Sequence, residues 1–306
     1  MSNLSNPIFH DEAKAREWLE ARVWPNGPVC PHCGTVDQAT LMKGKTTRAG
    51  LYQCNSCREP FTVTVGTLYE RSKVPLHKWL AVTHLMMALK KGMSALQISR
   101  MIGLSYKTTW FLCHRIRESL RADYMLPPIG GSNKVVEADE TYIGGKAKNR
   151  AHREPAHKQA VLSLVEREGH VRSFHIANVT ATTLRPIIAK NVQMASMLMT
   201  DESTVYPSIG KDFANHGAVN HSANEYARLG GFIHINTAEN FFSIVKRGIV
   251  GSFHHVSEAH LHRYMLEFDY RYNTRDMTDA ERFTASVSGI VGKRLTYRRT
   301  GEAREF

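Results

Sequence analysis

The segment Val135-Val136-Glu137-Ala138-Asp139-Glu140-Thr141-Tyr142-Ile143-Gly144-Gly145 decides how the second half of the chain folds. A β-branched run stands directly before acidic residues, and a shorter second run ends in a glycine pair. This order predicts a strand and a tight turn that together present a carboxylate. We select Asp139 as that carboxylate.

Two acidic positions further along the chain are expected to converge on Asp139. Asp201 follows a short apolar strand predicted at residues 197–200, and Glu239 lies early in a helix predicted from about 237 to 249. Carboxylate oxygens suit Mg²⁺ or Mn²⁺, and three carboxylates can hold two such ions about 3.5 to 4 Å apart. The sequence therefore predicts a catalytic metal site here. Taken singly, each carboxylate could instead be a surface residue or a helix cap.

The predicted helix also aligns a cation with Glu239. Lys246 lies seven residues after Glu239, close to two helical turns, so the two side chains share a face with Ser243 and Asn236. The opposite face is apolar. This geometry would place Lys246 where it can hold a DNA backbone beside the metal site.

The surrounding residues predict a mixed α/β sheet. The elements are strand-like runs at 159–165 and 171–177, a helix at 180–192 and the strand at 197–200. A strand–hairpin–helix–strand order places Asp139 and Asp201 near strand ends, which open onto the crevice of a sheet.

Neighbouring charges leave two questions open. Glu137, Glu140 and Glu202 flank the selected carboxylates and could be confused with them, although strand alternation turns immediate neighbours to the opposite face. The basic segment at residues 146–158 could close over phosphates or could be a solvated loop.

Cysteine spacing predicts a metal-binding module near the N-terminus. The motifs Cys30-Pro31-His32-Cys33 and Cys54-Asn55-Ser56-Cys57 are separated by the 20 residues 34–53. Two such knuckles place four thiolates in a tetrahedron around Zn²⁺, with strand-like residues 51–53 and 61–65 completing a zinc ribbon. Four thiolates leave no open coordination position, so the predicted zinc is structural. The alternatives are a redox dithiol or unpaired core cysteines.

Residues 94–110 have the pattern of a helix-turn-helix. Gly103 supplies the turn, and Ser105 is placed to cap the second helix. This assignment predicts DNA contacts at the start of a recognition helix and phosphate contacts further along it. The residues are Tyr106, Lys107, Thr108, Trp110, Arg115 and Arg117. The alternative is an ordinary helical pair that packs against another domain.

Composition favours a polyanionic partner. The 306 residues include 40 Lys and Arg against 28 Asp and Glu, giving a net charge of +12. Such a charge favours nucleic acid over an anionic membrane, although a generally basic surface is the alternative. Residues 1–10 lack the pattern of a secretory signal, and no apolar run approaches the roughly 18 to 20 residues needed to span a bilayer. We expect a cytoplasmic, nucleoid-associated protein that does not contact membranes.

Together these motifs resemble one known family, the bacterial insertion-sequence transposases of the ISXO2-like group. The resemblance covers residues 18–273 and rests on CPHC, CNSC, VEADETYIGGK, LMTDESTVY, VNHSANEY, INTAENFFSIVKRGIVGSFHHVS and EFDYRYN. The family combines an N-terminal zinc ribbon with an RNase H-like DDE catalytic domain. The resemblance therefore implies double-stranded DNA partners, namely transposon ends and target DNA, and a homo-oligomer assembled on DNA.

The resemblance also implies residue roles. Asp139 and Asp201 become the two aspartate ligands, Glu239 the third carboxylate, and Lys246 the basic residue two turns later. Some relatives carry asparagine at the third position, so the choice between Glu239 and its neighbours Asn236 and Asn240 stays open. His221 and Glu225, in the NHS-x-x-E-Y segment, are candidate auxiliary residues.

These expectations describe a multidomain chain. We expect an N-terminal helix and zinc ribbon at 1–70, a helix-turn-helix region at 71–126, an RNase H-like α/β domain at 127–290 and a basic tail at 291–306. The expected activity is cleavage and strand transfer of DNA. Two alternatives are a DNA-binding regulator that lost catalysis and an RNase H-like nuclease without strand transfer.

Overall fold

The chain forms two compact units in a computed structural model that describes residues 4–121, 126–144, 158–220, 222, 225 and 227–296. Within these residues, the first unit contains 4–89, 93–121 and 276–296, and the second contains 90–92 and 126–275. The first unit is therefore discontinuous in sequence. It includes residues 276–290, which the sequence analysis assigned to the α/β domain. The predicted segment 146–157 and most of the predicted basic tail lie outside the described residues.

The first unit begins with helix α1, Glu12–Val23, which is followed by a small antiparallel sheet. Its strands are β1 (Ala39–Leu41), β2 (Tyr52–Cys54) and β3 (Pro60–Phe61), in the order β1-β2-β3. The strand predicted at 61–65 is wrong beyond Phe61. The Val65 N–H donates to the Thr62 carbonyl at 3.0 Å, so the backbone turns there instead of continuing in the sheet.

Helices complete the first unit. They are α2 (Leu76–Ala88), α3 (Ala95–Ile102), α4 (Tyr106–Ser119) and, from the C-terminal part of the chain, α9 (Asp279–Ser288). Ser94 and Ser105 cap α3 and α4 with their hydroxyls, and Gly103 ends α3 in the left-handed region at φ 66°. Both helices of the predicted helix-turn-helix are therefore present, with the predicted turn at Gly103 and the predicted cap at Ser105.

The second unit is built on a mixed five-stranded sheet. Its strands are β4 (Val135–Ile143), β5 (Gln159–Glu166), β6 (Val171–Ile176), β7 (Met197–Thr200) and β8 (Asn215–Ala218). Their order is β6-β5-β4-β7-β8, in which β4, β5 and β6 pair antiparallel while β4–β7 and β7–β8 pair parallel. This arrangement confirms the RNase H-like architecture that the motifs indicate.

Helices cover both faces of this sheet. One face packs against α5 (Ala181–Asn191) and α6 (Tyr206–Gly210), and the other against α7 (Asn236–Gly248) and α8 (Glu258–Asn273). Val136 and Ala138 of β4 belong to the first core cluster, and Ile143 belongs to the second. Alternation along β4 therefore assigns its even-numbered residues to the α5 side and its odd-numbered residues to the α7 side.

β4 continues through the acidic residues and ends at Ile143, directly before the glycine pair of the predicted turn, of which Gly145 lies outside the described residues. Every residue from Val136 to Ile143 pairs with β5, so the strand has no break at the carboxylates. Among the described residues, the helices are all too short or too polar to cross a bilayer.

Candidate functional site

Asp139 lies on β4, and Asp201 directly follows β7, the parallel neighbour of β4. The register pairs Val135 with Met197 and Glu137 with Met199, and its continuation by two residues places Asp139 beside Asp201. Asp139 is in the middle of β4, not near its end as predicted. However, β7 ends at Thr200, so the edge of β4 that faces β7 becomes free of strand pairing at Asp139.

Asp139 faces the helix that carries the third carboxylate. It is odd-numbered, so its side chain lies on the α7 side of the sheet, and Glu239 lies in the first turn of α7. The apolar face of α7 is buried as predicted, through Ala238, Phe241, Phe242, Val245 and Ile249. Glu239 and Lys246 are on the exposed face, and so are Asn236 and Asn240.

The electrostatics of Asp139 show that acidic groups surround it. Burial raises the pKa of the Asp139 carboxyl to about 7. The negative charges that add to this rise belong to Glu140, Asp201 and Glu239. A divalent cation would offset this accumulation of charge, and oxygen donors are the ligands that Mg²⁺ and Mn²⁺ prefer. Oxygen donors of this kind fit the predicted metal, although the ligand atoms of Asp139, Asp201 and Glu239 do not all lie within 4.8 Å of one another.

The neighbouring glutamates have partners of their own. Glu140 lies on the opposite face of β4, as alternation predicts, and accepts a hydrogen bond from the Tyr206 hydroxyl of α6. Burial raises the pKa of Glu140 to about 7. Glu202 accepts hydrogen bonds from the backbone N–H and the hydroxyl of Ser222, at 3.1 and 2.6 Å.

Glu137 has a role that sequence reasoning missed. It lies two residues before Asp139, on the same face, and its carboxylate is completely buried. Oε1 accepts from Thr237 Oγ1 at 3.0 Å and from Arg167 Nε at 2.6 Å, and Oε2 accepts from the Ala238 N–H at 2.9 Å. Sequence held no signal for this role, because the helix was predicted to start at about residue 237, and only the structure shows that its N-cap position is Ile235.

The auxiliary candidates are only partly within the described residues. Glu225 pairs with Arg228 at 3.0 Å, and its N–H donates to the Asn220 carbonyl at 2.9 Å. His221 lies outside the described residues. An active-site role for either residue stays a prediction.

The four cysteines of the two CxxC motifs form a compact cluster in the first unit. Cys30 Sγ is 3.7 Å from Cys57 Sγ, and Cys33 Sγ is 3.6 Å from Cys54 Sγ. A tetrahedron with zinc–sulfur bonds of about 2.3 Å has edges of about 3.8 Å, so these separations fit zinc. Within the described ranges, no other group of three or more His, Cys, Asp or Glu brings its ligand atoms within 4.8 Å of one another.

The pKa of one thiol in the cluster is shifted toward the metal-binding thiolate form. A hydrogen bond with the Thr35 hydroxyl lowers the pKa of Cys33 to about 6. Because the thiolate is the ligand form of cysteine, this shift favours coordination at neutral pH.

The helix-turn-helix residues separate into exposed and buried sets. Tyr106 and Lys107 are exposed at the start of α4, while Thr108 and Trp110 are partly buried. Arg115 and Arg117 are buried, with only 7% and 2% of their surface exposed, so the structure contradicts their predicted phosphate contacts.

Arg115 is used inside the first unit instead. Its Nη2 donates to the Glu70 carbonyl at 3.1 Å, and its guanidinium lies 4.9 Å from the ring centroid of Trp79. A buried arginine is held by such contacts because its charge is costly to desolvate.

Comparisons with known proteins agree with this architecture. Residues 130–273 match the ISXO2-like transposase domain, and residues 10–59 match the transposase zinc-ribbon domain. The chain is 28% identical over 283 residues to a Halobacterium salinarum protein named "Uncharacterized protein in transposable element ISH50", covering 86% of this chain and 91% of that protein.

A solved structure also overlaps the chain. The crystal structure of a pre-cleavage Mos1 transpososome overlaps 67% of this chain and 76% of its own, with 9% identity and a TM-score of 0.21, an overlap too small to bear on the fold.

The fold, the carboxylates and the two domain matches define the class of this chain as a transposase with a zinc ribbon. Within that class, it contains an ISXO2-like transposase domain at residues 130–273, which confirms the resemblance drawn from its motifs.

Proposed function

We propose that this transposase binds the ends of an insertion sequence and catalyses divalent-metal-dependent cleavage and strand transfer of DNA. One observation carries the proposal. Asp139 lies beside Asp201, and the negative charge of Glu239 helps to raise the pKa of Asp139. Acidic side chains on one strand, directly after the next strand and on a helix would supply the oxygen ligands that paired ions need for phosphoryl transfer.

Each side chain has a task in this proposal. Asp139, Asp201 and Glu239 would hold Mg²⁺ or Mn²⁺. Ions held there would supply the positive charge that activates an attacking water or 3′-hydroxyl and stabilises a departing oxygen. Lys246 is exposed on α7, about two turns after Glu239, and can bind a phosphate of the DNA strand.

The first unit would recognise the DNA. Tyr106 and Lys107 are exposed at the start of α4, where a recognition helix contacts base edges. The zinc ribbon precedes this helix pair, and the net charge of +12 favours a DNA partner. Joining two ends of one element calls for two active sites, so we propose that a homo-oligomer assembles on the DNA.

The test uses purified protein, Mg²⁺ or Mn²⁺ and DNA that carries the ends of the encoding element. Wild type should yield cleaved and joined products. Asp139→Ala and Asp201→Ala should each reduce strand transfer more than about 100-fold, because even outer residues of metal sites contribute 10- to 100-fold. Glu202→Ala is the matched control, since Glu202 adjoins Asp201 but bonds to Ser222.

The same assay separates the alternatives. Full strand transfer by Asp139→Ala would reject the metal site. End binding without cleavage by wild type would favour a regulator, and cleavage without joined product would favour a nuclease.

A further inference from the structure

Helix α7 has no N-terminal cap of its own. Its N-cap position is Ile235, whose side chain cannot accept a hydrogen bond and is instead buried with Val135, Met199 and Val219. The first N–H groups of a helix need acceptors, and polar N-cap residues normally supply them. Here the acceptor comes from another element, because Glu137 of β4 binds the Ala238 N–H and the Thr237 hydroxyl.

Arg167 connects this cap to the segment before the helix. Its Nε binds Glu137, while Nη1 and Nη2 donate to the carbonyls of Phe232 and His234 at 2.8 and 2.9 Å. The guanidinium of Arg167 therefore binds both the Glu137 carboxylate and the segment that leads into α7. A charged pair that is buried and fully hydrogen-bonded has one favoured geometry.

His234 does not compete for this position. Its Nδ1 lies 3.2 Å from Glu137 Oε1 and also 3.2 Å from the Asn236 backbone nitrogen. Burial lowers the pKa of His234, and the charge of Arg167 adds to this effect. The ring is therefore neutral, and its Nδ1 accepts the Asn236 N–H instead of donating to Glu137.

We propose that Glu137, with Arg167, is a positioning residue that sets the distance between the third carboxylate and the two aspartates. This inference rests on the proposed function. Glu137 and Asp139 lie on one face of β4, with one residue between them, so their positions along the strand differ by about 6.6 Å. Glu239 directly follows Ala238, which Glu137 binds. One side chain thus fixes the helix bearing one ligand to the strand bearing another.

The source of the cap is what distinguishes positioning from simple helix stabilisation. A Ser or Asp at position 235 could accept the same Ala238 N–H without fixing α7 relative to β4. A cap that comes from β4 stabilises the helix only where Glu239 is close to Asp139. Mg²⁺ demands near-ideal octahedral geometry, so a small displacement of Glu239 would weaken its binding.

The experiment compares Glu137→Gln and Thr237→Val with Asn273→Ala as a matched control. Asn273 also ties a helix to a strand of the second unit, through bonds to the N–H and carbonyl of Val171 at 2.7 and 3.0 Å, but it acts on α8 and β6. The primary readout is Mn²⁺ affinity of the zinc-loaded full chain, followed by the EPR signal of free Mn²⁺. Thermal unfolding and cleavage of element ends are measured in parallel.

Glu137→Gln should weaken Mn²⁺ binding at least 10-fold, as expected for an outer residue of a metal site. Thr237→Val should weaken it less, and Asn273→Ala should lower the melting temperature without changing Mn²⁺ affinity. Glu239→Gln provides the reference for a displaced third ligand.

Unchanged Mn²⁺ affinity in Glu137→Gln, or an equal change in Asn273→Ala at a similar loss of melting temperature, would overturn the inference. If Glu137→Gln does not fold, Thr237→Val decides, because it removes only one hydroxyl donor. Wild type that binds Mn²⁺ but cuts no element ends would reject the proposed function alone.

Discussion

The role of each acidic residue of β4 depends on the face of the sheet on which it lies and on the hydrogen-bond donors near its carboxylate. Asp139 could be selected from sequence because a β-rich run precedes it and two further carboxylates follow at family-like spacing. Glu137 could not be assigned, because its donors come from Arg167 and Thr237, 30 and 100 residues away. Sequence shows that it shares a face with Asp139, but not that a helix end lies above it.

A pH effect is expected at Asp269, which α8 presents to β6. Burial raises the pKa of this carboxyl from 3.8 to about 7, while its bonds to the Ser173 N–H and hydroxyl, at 2.8 and 2.6 Å, oppose the rise. The folded state therefore holds the proton more tightly than the unfolded state. Its contribution to stability is present below about pH 4 and is lost as pH rises through about 7.

Asp269→Asn should accordingly flatten the fall in the free energy of unfolding between pH 4 and 7. Each tenfold change in proton affinity is worth about 1.4 kcal/mol. Calorimetry across this range is the measurement. Asp139 and Glu140 shift in the same direction, so part of the slope should remain. A slope as steep as that of wild type would contradict the assignment.

Zinc loss is predicted for Cys33→Ser. The variant removes one corner of the thiolate tetrahedron, so metal content should fall from one zinc per chain to well below one. Trp24 packs edge-on against Tyr52 and Phe61 in the ribbon, at ring distances of 5.4 and 5.6 Å, and its fluorescence should change as this packing loosens.

His32→Ala is the control for that variant, because His32 is exposed inside the first knuckle. Full zinc content in Cys33→Ser would be incompatible with a four-cysteine site.

At the scale of elements, sequence predicted those with strong local signals. Helices α3 and α4 were recognisable because serine caps and a glycine turn are local features. Strand β8 and helix α6 were missed. Asn-His-Gly-Ala has little strand propensity, and α6 is only five residues long, so both depend on pairing and packing with distant residues.

The arginines of α4 illustrate the same limit of local patterns. A basic residue further along a recognition helix indicates a phosphate contact, but the direction of each side chain depends on what packs beside α4. Trp79 and the Glu70 carbonyl belong to a distant part of the chain, and they draw Arg115 inward.

Lys107→Ala should weaken binding to element ends more than binding to unrelated DNA, because a recognition helix contacts base edges at its start, and loss of the charge should also lower the salt slope. Lys107 is exposed at the start of α4. Fluorescence anisotropy at several salt concentrations measures both quantities. Lys190→Ala removes an equal charge from an exposed position of α5, and it should leave both the affinity and the salt slope unchanged. An identical effect of the two variants would count against recognition by α4.

At the scale of the whole molecule, the first unit takes part of its core from the far end of the chain. Phe283 of α9 is buried and packs against Trp18, Phe9 and His84 at ring distances of 5.1, 5.6 and 5.6 Å. Sequence gave no reason to assign this helix to the N-terminal unit, because an amphipathic pattern shows that a face is buried but not against which partner.

Phe283→Ala should destabilise the first unit by about 3 to 5 kcal/mol, the usual range for removing a buried phenylalanine. Tryptophan fluorescence reports this unit alone, because Trp18, Trp24, Trp79 and Trp110 all lie within it. The urea concentration at the midpoint of the fluorescence transition should fall in Phe283→Ala and stay unchanged in Ser288→Ala. A wild-type midpoint in Phe283→Ala would show that α9 adds little to this core.

The discontinuity of the first unit also sets an order of events during synthesis. Ribosomes make α1 to α4 first, but their core lacks Phe283, Val287 and Ile290 until the last helix emerges. The second unit, by contrast, has all its strands once residue 275 has been added. A translation product that stops before residue 279 therefore holds the carboxylates but no finished helix-turn-helix unit. Interrupted synthesis would thus yield a folded second unit at most.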